Sequence, residues 1–125
     1  MSEHQEQAKV IDWCFENLRR YPCLDLIFAI PNGAQLAGGK AKRGQQMNKL
    51  KAEGLRPGVS DLFLPVARKG KHGIFIEMKT EIGEPSENQL QFMDGVEKEG
   101  YYTALCLGHK AAIDVLEWYL GKDHK

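Results

Sequence analysis

The sequence predicts a mixed α/β domain, and three observations carry that prediction. Segments with helical and with strand character alternate along the chain. Two apolar strands flank a short polar loop that contains glycine, which is the mark of an antiparallel hairpin. A capped helix then separates the hairpin from one more apolar strand and is long enough to cross over and set that strand parallel. The 125 residues suit one domain spanning 1–125, and 42% hydrophobic content supplies it with a core.

Each element has a local reason. From Glu3 to Arg20, Val10, Cys14 and Leu18 form one helical stripe with Ile11 and Phe15 beside it, and Tyr21-Pro22 stops the helix. Leu24 to Ile30 is a short apolar run, read as a buried strand, and Pro31-Asn32-Gly33 is turn chemistry. After Gly38-Gly39, residues Lys40 to Glu53 are rich in helix formers, and Gly54 suits the position just past a helix end. Pro57-Gly58 marks a turn before a strand from Val59 to Val66. Arg68 to Gly73 is the hairpin loop and Ile74 to Lys79 the returning strand. Thr80 to Pro85 is a loop. Ser86-x-x-Gln89 is a capping-box spacing that opens a helix to Glu99, with Gly100 after it. Tyr101 to Leu107 is the last strand. His109 to Leu120 is the last helix, with Ala112, Val115, Leu116 and Tyr119 on one face.

Composition narrows the function. No apolar run approaches a bilayer span and the N-terminus has no apolar signal region, so a soluble, cytoplasmic protein is expected, without membrane partners. Cys14, Cys23 and Cys106 are odd in number and far apart, which argues for reduced thiols over a disulfide framework or zinc site. His4, His72, His109 and His124 offer no ligand-spaced pair on one element. Formal charge is zero overall but uneven. Lys40, Lys42, Arg43, Lys49, Lys51, Arg56, Arg68, Lys69 and Lys71 face only Glu53 and Asp61 in the same window, leaving it at +7. Such a segment suits a polyanion, with Lys40, Lys42, Arg43, Lys49, Lys51, Arg68, Lys69 and Lys71 as candidate phosphate contacts, although a solvated charged face has the same signature.

The chemistry centres on the hairpin. Asp61 stands near the start of its first strand, and Glu77 and Lys79 near the end of the second. Side chains two apart share a strand face, and a hairpin sets the start of one strand beside the end of the next, so the three converge. Two converging carboxylates repel unless a cation separates them. A hard divalent ion such as Mg²⁺ or Mn²⁺ takes oxygen ligands, and the backbone carbonyl of Met78 lies between the two side chains. Lys79 is then placed to orient water or to stabilise charge on a phosphate. Asp followed by Glu-x-Lys is short, and by itself it is matched by charged residues that merely mark a strand's exit to solvent.

Several spaced motifs add to it. Pro57-Gly58-Val59-Ser60-Asp61-Leu62-Phe63-Leu64-Pro65, Gly73 to Lys79, Ser86-x-x-Gln89-x-x-Phe92, Gly100-Tyr101, Ile30-Pro31-Asn32-Gly33 and Ala111-Ala112-Ile113 together resemble the VRR-NUC nuclease domains of the PD-(D/E)xK superfamily, stand-alone phage or bacterial type. The resemblance covers nearly the whole chain and implies a restriction-endonuclease-like core. It implies Asp61 and Glu77 as metal ligands, Lys79 as the catalytic lysine and Gln89 as an active-site residue, although Gln89 is also the partner a helix cap requires. It implies a further acid on the first helix, Glu3 or Glu6, of which Glu6 precedes the apolar stripe by one turn and is preferred. Ser60 departs from the pattern, since many relatives carry proline before the aspartate. The function so implied is metal-dependent, structure-specific DNA cleavage, with the stand-alone members resembling homodimers that cut four-way (Holliday) junctions. A monomeric flap or single-strand nuclease and a catalytically silent DNA-binding module are the alternatives.

Overall fold

In the computed structural model, residues 1–31, 38–80 and 83–121 are described. The expected order of elements is observed. Helix α1 (Glu3–Glu16) leads through a 3₁₀ turn (Pro22–Leu26) to β1 (Phe28–Ala29). Helix α2 (Lys40–Ala52) precedes the hairpin of β2 (Leu62–Leu64) and β3 (Ile74–Lys79). Helix α3 (Glu87–Lys98), β4 (Tyr102–Leu107) and α4 (His109–Leu120) follow. The turn expected at Pro31-Asn32-Gly33 falls partly outside the described residues, as does His124.

Three boundaries differ from expectation for physical reasons. Helix α1 stops at Glu16 and not at Arg20, because Asn17 caps it, its side-chain amide donating to the Trp13 carbonyl at 2.8 Å, so the helix ends before Tyr21-Pro22 is reached. The apolar run from Leu24 is not one strand. Pro22 sits at the start of a 3₁₀ turn, where its fixed φ is preorganised for helical geometry, and only Phe28 and Ala29 pair as a strand. The strand expected from Val59 to Val66 is shorter, because pairing stops at the Asp61 bend and at Pro65.

The sheet runs β1-β2-β3-β4. β2 pairs antiparallel with β1 (Phe28↔Phe63) and with β3 (Leu62↔Ile76, Phe63↔Phe75), and β4 lies parallel to β3 (Glu77↔Leu105, Lys79↔Leu107). The crossover helix α3 makes that parallel return, as its length predicts. One face carries Leu62, Leu64, Ile74, Ile76, Met78 and Cys106, covered by Val10 and Cys14 of α1 and by Ala112, Leu116, Tyr119 and Leu120 of α4, and this is the core. The other face carries a row of aromatics. Phe63 stacks on Phe75 at 4.3 Å between centroids, and Phe75 meets the edges of Phe92 and Tyr101. The three cysteines are free, with Cys14 and Cys106 buried.

Both helices that open on serine use a capping box. Ser2 and Gln5 bond reciprocally at α1, and Ser86 and Gln89 at α3 (2.7 and 3.2 Å). The hairpin's far end is locked to α4, since the Tyr119 hydroxyl donates to the Val66 carbonyl at 2.6 Å and accepts from the Arg68 amide at 3.3 Å.

Candidate active site

Asp61 precedes β2 by one residue, on the face shared by Phe63, Phe75, Glu77 and Lys79. Its Oδ2 accepts the Met78 amide at 2.7 Å, which bridges the gap where β2 has not yet begun. Gly58, at φ +89, makes this approach possible. A β-carbon there would lie 2.5 Å from the Asn88 backbone, so the loop before Asp61 runs directly against the first turn of α3.

Glu77 is 1% exposed, and its Oε1 has no hydrogen-bond partner. Burial first, then the hydrogen bond with Asp61 and the Asp61 charge, with a smaller contribution from Glu3 and against the opposing Lys79, push its carboxyl up to about 9. A buried carboxyl with an orphaned oxygen, set against a second carboxyl, is costly for a fold and suits a cation.

The backbone offers one more oxygen. Amide and carbonyl of one strand residue point to the same side, and the Met78 amide points toward Asp61, so the Met78 carbonyl opens on that side too. The Lys79 carbonyl points the other way and accepts the Gly108 amide at 3.0 Å. Asp61, Glu77 and the Met78 carbonyl therefore form a hard oxygen set of the kind Mg²⁺ takes. Among the described residues no group of three or more His, Cys, Asp and Glu side chains is placed to hold a metal, so a site here would draw on the backbone.

The two first-helix acids separate. Glu6, the preferred candidate, is engaged elsewhere. Its Oε2 accepts the His109 amide and meets His109 Nδ1, both at 2.5 Å. The amide bond and then the ring hold its carboxyl below the ordinary range. It thus caps the N-terminus of α4, where a carboxylate is favoured, and Gly108 at φ +88 turns the chain into that helix. Glu3, one turn earlier, is the acid whose charge bears on Glu77. Gln89 is occupied as the α3 cap, one residue from the contact with Gly58.

The candidate phosphate contacts fall in two places. Lys40, Lys42, Arg43, Lys49 and Lys51 all lie on α2, which has no acid. The side chain of Lys40 is outside the described set. The connections into and out of α2 both leave the sheet at the Asp61 end, where the Ile30 amide donates to the Asp61 carbonyl at 2.8 Å. Arg68, Lys69 and Lys71 lie at the opposite end of β3 from Lys79, roughly 17 Å away at ~3.3 Å per residue. The arginine guanidinium there bonds the Ala67 carbonyl at 2.8 Å, and Lys69 Nζ donates to the Gly121 carbonyl at 3.0 Å. A cleft of about 560 Å³ lined by Arg20, Tyr21, Pro22, Cys23, Arg68, Leu120 and Gly121 also lies at that far end. The separation was implicit in the sequence, because a hairpin loop is necessarily remote from the start of its first strand and the end of its second.

The VRR-NUC domain profile matches residues 2–110. The chain belongs to the VRR-NUC family. A solved structure described as a VRR_NUC domain protein superposes with a TM-score of 0.78 at 26% identity, covering 98% of this chain and 92% of the other. No curated protein matches the chain. VRR-NUC membership confirms the expected mixed α/β core and points to nuclease activity, to DNA as the ligand and to the divalent metals that nuclease domains of this family generally use. No described helix is long and apolar enough to cross a membrane.

Proposed function

We propose that this VRR-NUC chain is a single nuclease domain that cleaves branched DNA with a divalent metal, acting on four-way junctions as a homodimer. The observation that carries the reading is Glu77, a buried carboxyl with an orphaned oxygen facing Asp61. Asp61, Glu77 and the Met78 carbonyl would hold Mg²⁺ or Mn²⁺, with Glu3 supplying the outer acid that was expected of Glu6. When bound, such an ion polarises a phosphodiester and lowers the pKa of water.

The remaining chemistry belongs to the protein. The reaction is attack of water on phosphorus with rupture of one P–O ester bond. Lys79 shares the sheet face with Glu77, where its ammonium orients the water and offsets charge on the phosphate oxygens. Gln89 keeps the first turn of α3 formed beside the loop to Asp61 and, with that loop, borders the substrate. Lys42, Arg43, Lys49 and Lys51 on α2, with Lys40, grip the phosphate backbone without reading sequence. A four-way junction has two-fold symmetry and needs two cuts, which two copies with one site each supply.

The test is cleavage of a four-way junction, a 5′ flap, linear duplex and single strand with Mg²⁺ or Mn²⁺, by wild type and by Asp61→Asn and Lys79→Ala. Paired cuts in the junction, made by a species of twice the chain mass and reduced about 100-fold or more in both variants, support the proposal. Flap cutting alone by a monomer discards the junction reading and keeps the site. Cutting that survives both substitutions discards the site, and binding without cutting leaves a DNA-binding module.

A further inference from the structure

The aromatic row on the site's own face ends in one exposed ring. Phe28 is 50% exposed, whereas Phe63, Phe75, Phe92 and Tyr101 are only partly so. It belongs to a strand of two residues at the sheet edge. Its ring meets Phe63 edge-on at 5.7 Å, and Phe63 is held in turn by Phe75, so the exposed ring is braced. The Phe28↔Phe63 pairing puts it on the face of Asp61 and Glu77. Phe63 is two residues beyond Asp61, so Phe28 stands about 7 Å along the sheet from that carboxylate and one strand over. Seven ångströms is about two nucleotides at the ~3.4 Å rise of one DNA strand. The cationic α2 leaves the sheet at this same end.

Resting on the nuclease reading, we propose that Phe28 is a stacking platform for an unpaired nucleobase within about two nucleotides of the cut phosphate. Exposure alone does not single out Phe28, since Phe15 and Trp118 are about as exposed; what does is that this exposed, braced ring lies on the face of Asp61 and Glu77. A base in a continuous duplex has both faces covered by its neighbours and has none to offer. A base at a branch or in a single strand has, and such stacking is indifferent to its identity. Phe28 therefore discriminates for structure in the DNA and not for sequence.

The test uses the full chain in the cleavage-dead Asp61→Asn background. A fluorescent adenine analogue that dims on stacking is walked through a single strand and through the branch of a junction. Dimming at one or two adjacent positions is expected. Phe28→Leu should abolish the dimming and weaken binding of those DNAs about tenfold while leaving blunt duplex binding unchanged, and Phe28→Trp should restore both. Thermal melting confirms that each variant folds. Undiminished dimming in Phe28→Leu overturns the inference, as does an equal loss on duplex and branched DNA. So does a change of solution mass in that variant without loss of DNA affinity, which would assign Phe28 to a contact between copies. If Phe28→Leu behaves as wild type and duplex is still bound, only this inference fails. If the parent protein binds no DNA, the nuclease reading fails with it.

Discussion

Glu77 is a costly residue where it stands, buried with an oxygen that has no partner. Its carboxyl is held protonated by burial and by Asp61, with the folded-state value near 9 against an ordinary 4.5. A group whose folded value is raised gives stability that is fully present below the unfolded value and lost as pH rises through the folded one. The metal-free protein should therefore melt at progressively lower temperature between about pH 5 and pH 9, and Mg²⁺ at pH 8 should reverse the loss. A flat melting profile across that window would remove the argument. Glu77→Gln keeps the shape and cannot ionise in either state. It should stabilise the metal-free protein by about 1–3 kcal/mol while abolishing cleavage, the trade expected of a site built for function. Ser60 makes a plainer case. It is 1% exposed and its hydroxyl has no partner, on the core face beside Leu62. Ser60→Ala should raise stability by about 1 kcal/mol, read by thermal melting, without changing metal affinity.

Among the elements, α3 buries no residue completely, and its capping box fixes its first turn. Ser86→Ala should cost about 1 kcal/mol. The two readings of Gln89 separate by substitution, because Glu serves equally well at that position of a capping box. Gln89→Glu should keep wild-type melting in either case. Retained cleavage would make Gln89 a cap alone, and lost cleavage would place it in the active site.

Across the molecule the candidate phosphate contacts divide between α2, whose connections leave the sheet at the Asp61 end, and the hairpin loop at the other end. Each phosphate contact contributes a slope of about −0.9 in log affinity against log salt on duplex DNA. Lys42→Ala, Lys49→Ala and Lys51→Ala combined should flatten that slope by about 0.9 for each contact removed. Arg68→Ala with Lys71→Ala should leave it unchanged. The opposite pattern would move the DNA track to the hairpin end.

The sequence alone determined the succession of elements and the meeting of Asp61, Glu77 and Lys79. Both follow from local geometry: the period of two in a strand, the fold-back of a hairpin, and a capping box read over four residues. Even the Met78 carbonyl needed only the strand's own alternation. Docking decided the rest. Glu3 and Glu6 lie one turn apart, and nothing near them in sequence says that Glu6 is engaged elsewhere. That is decided by His109, 103 residues on, whose amide donates to the Glu6 carboxylate at the start of α4. In the same way the run containing Phe28 is apolar enough for a buried strand, yet its exposure depends on the sheet ending there, a fact that belongs to the assembled sheet and to no segment of it.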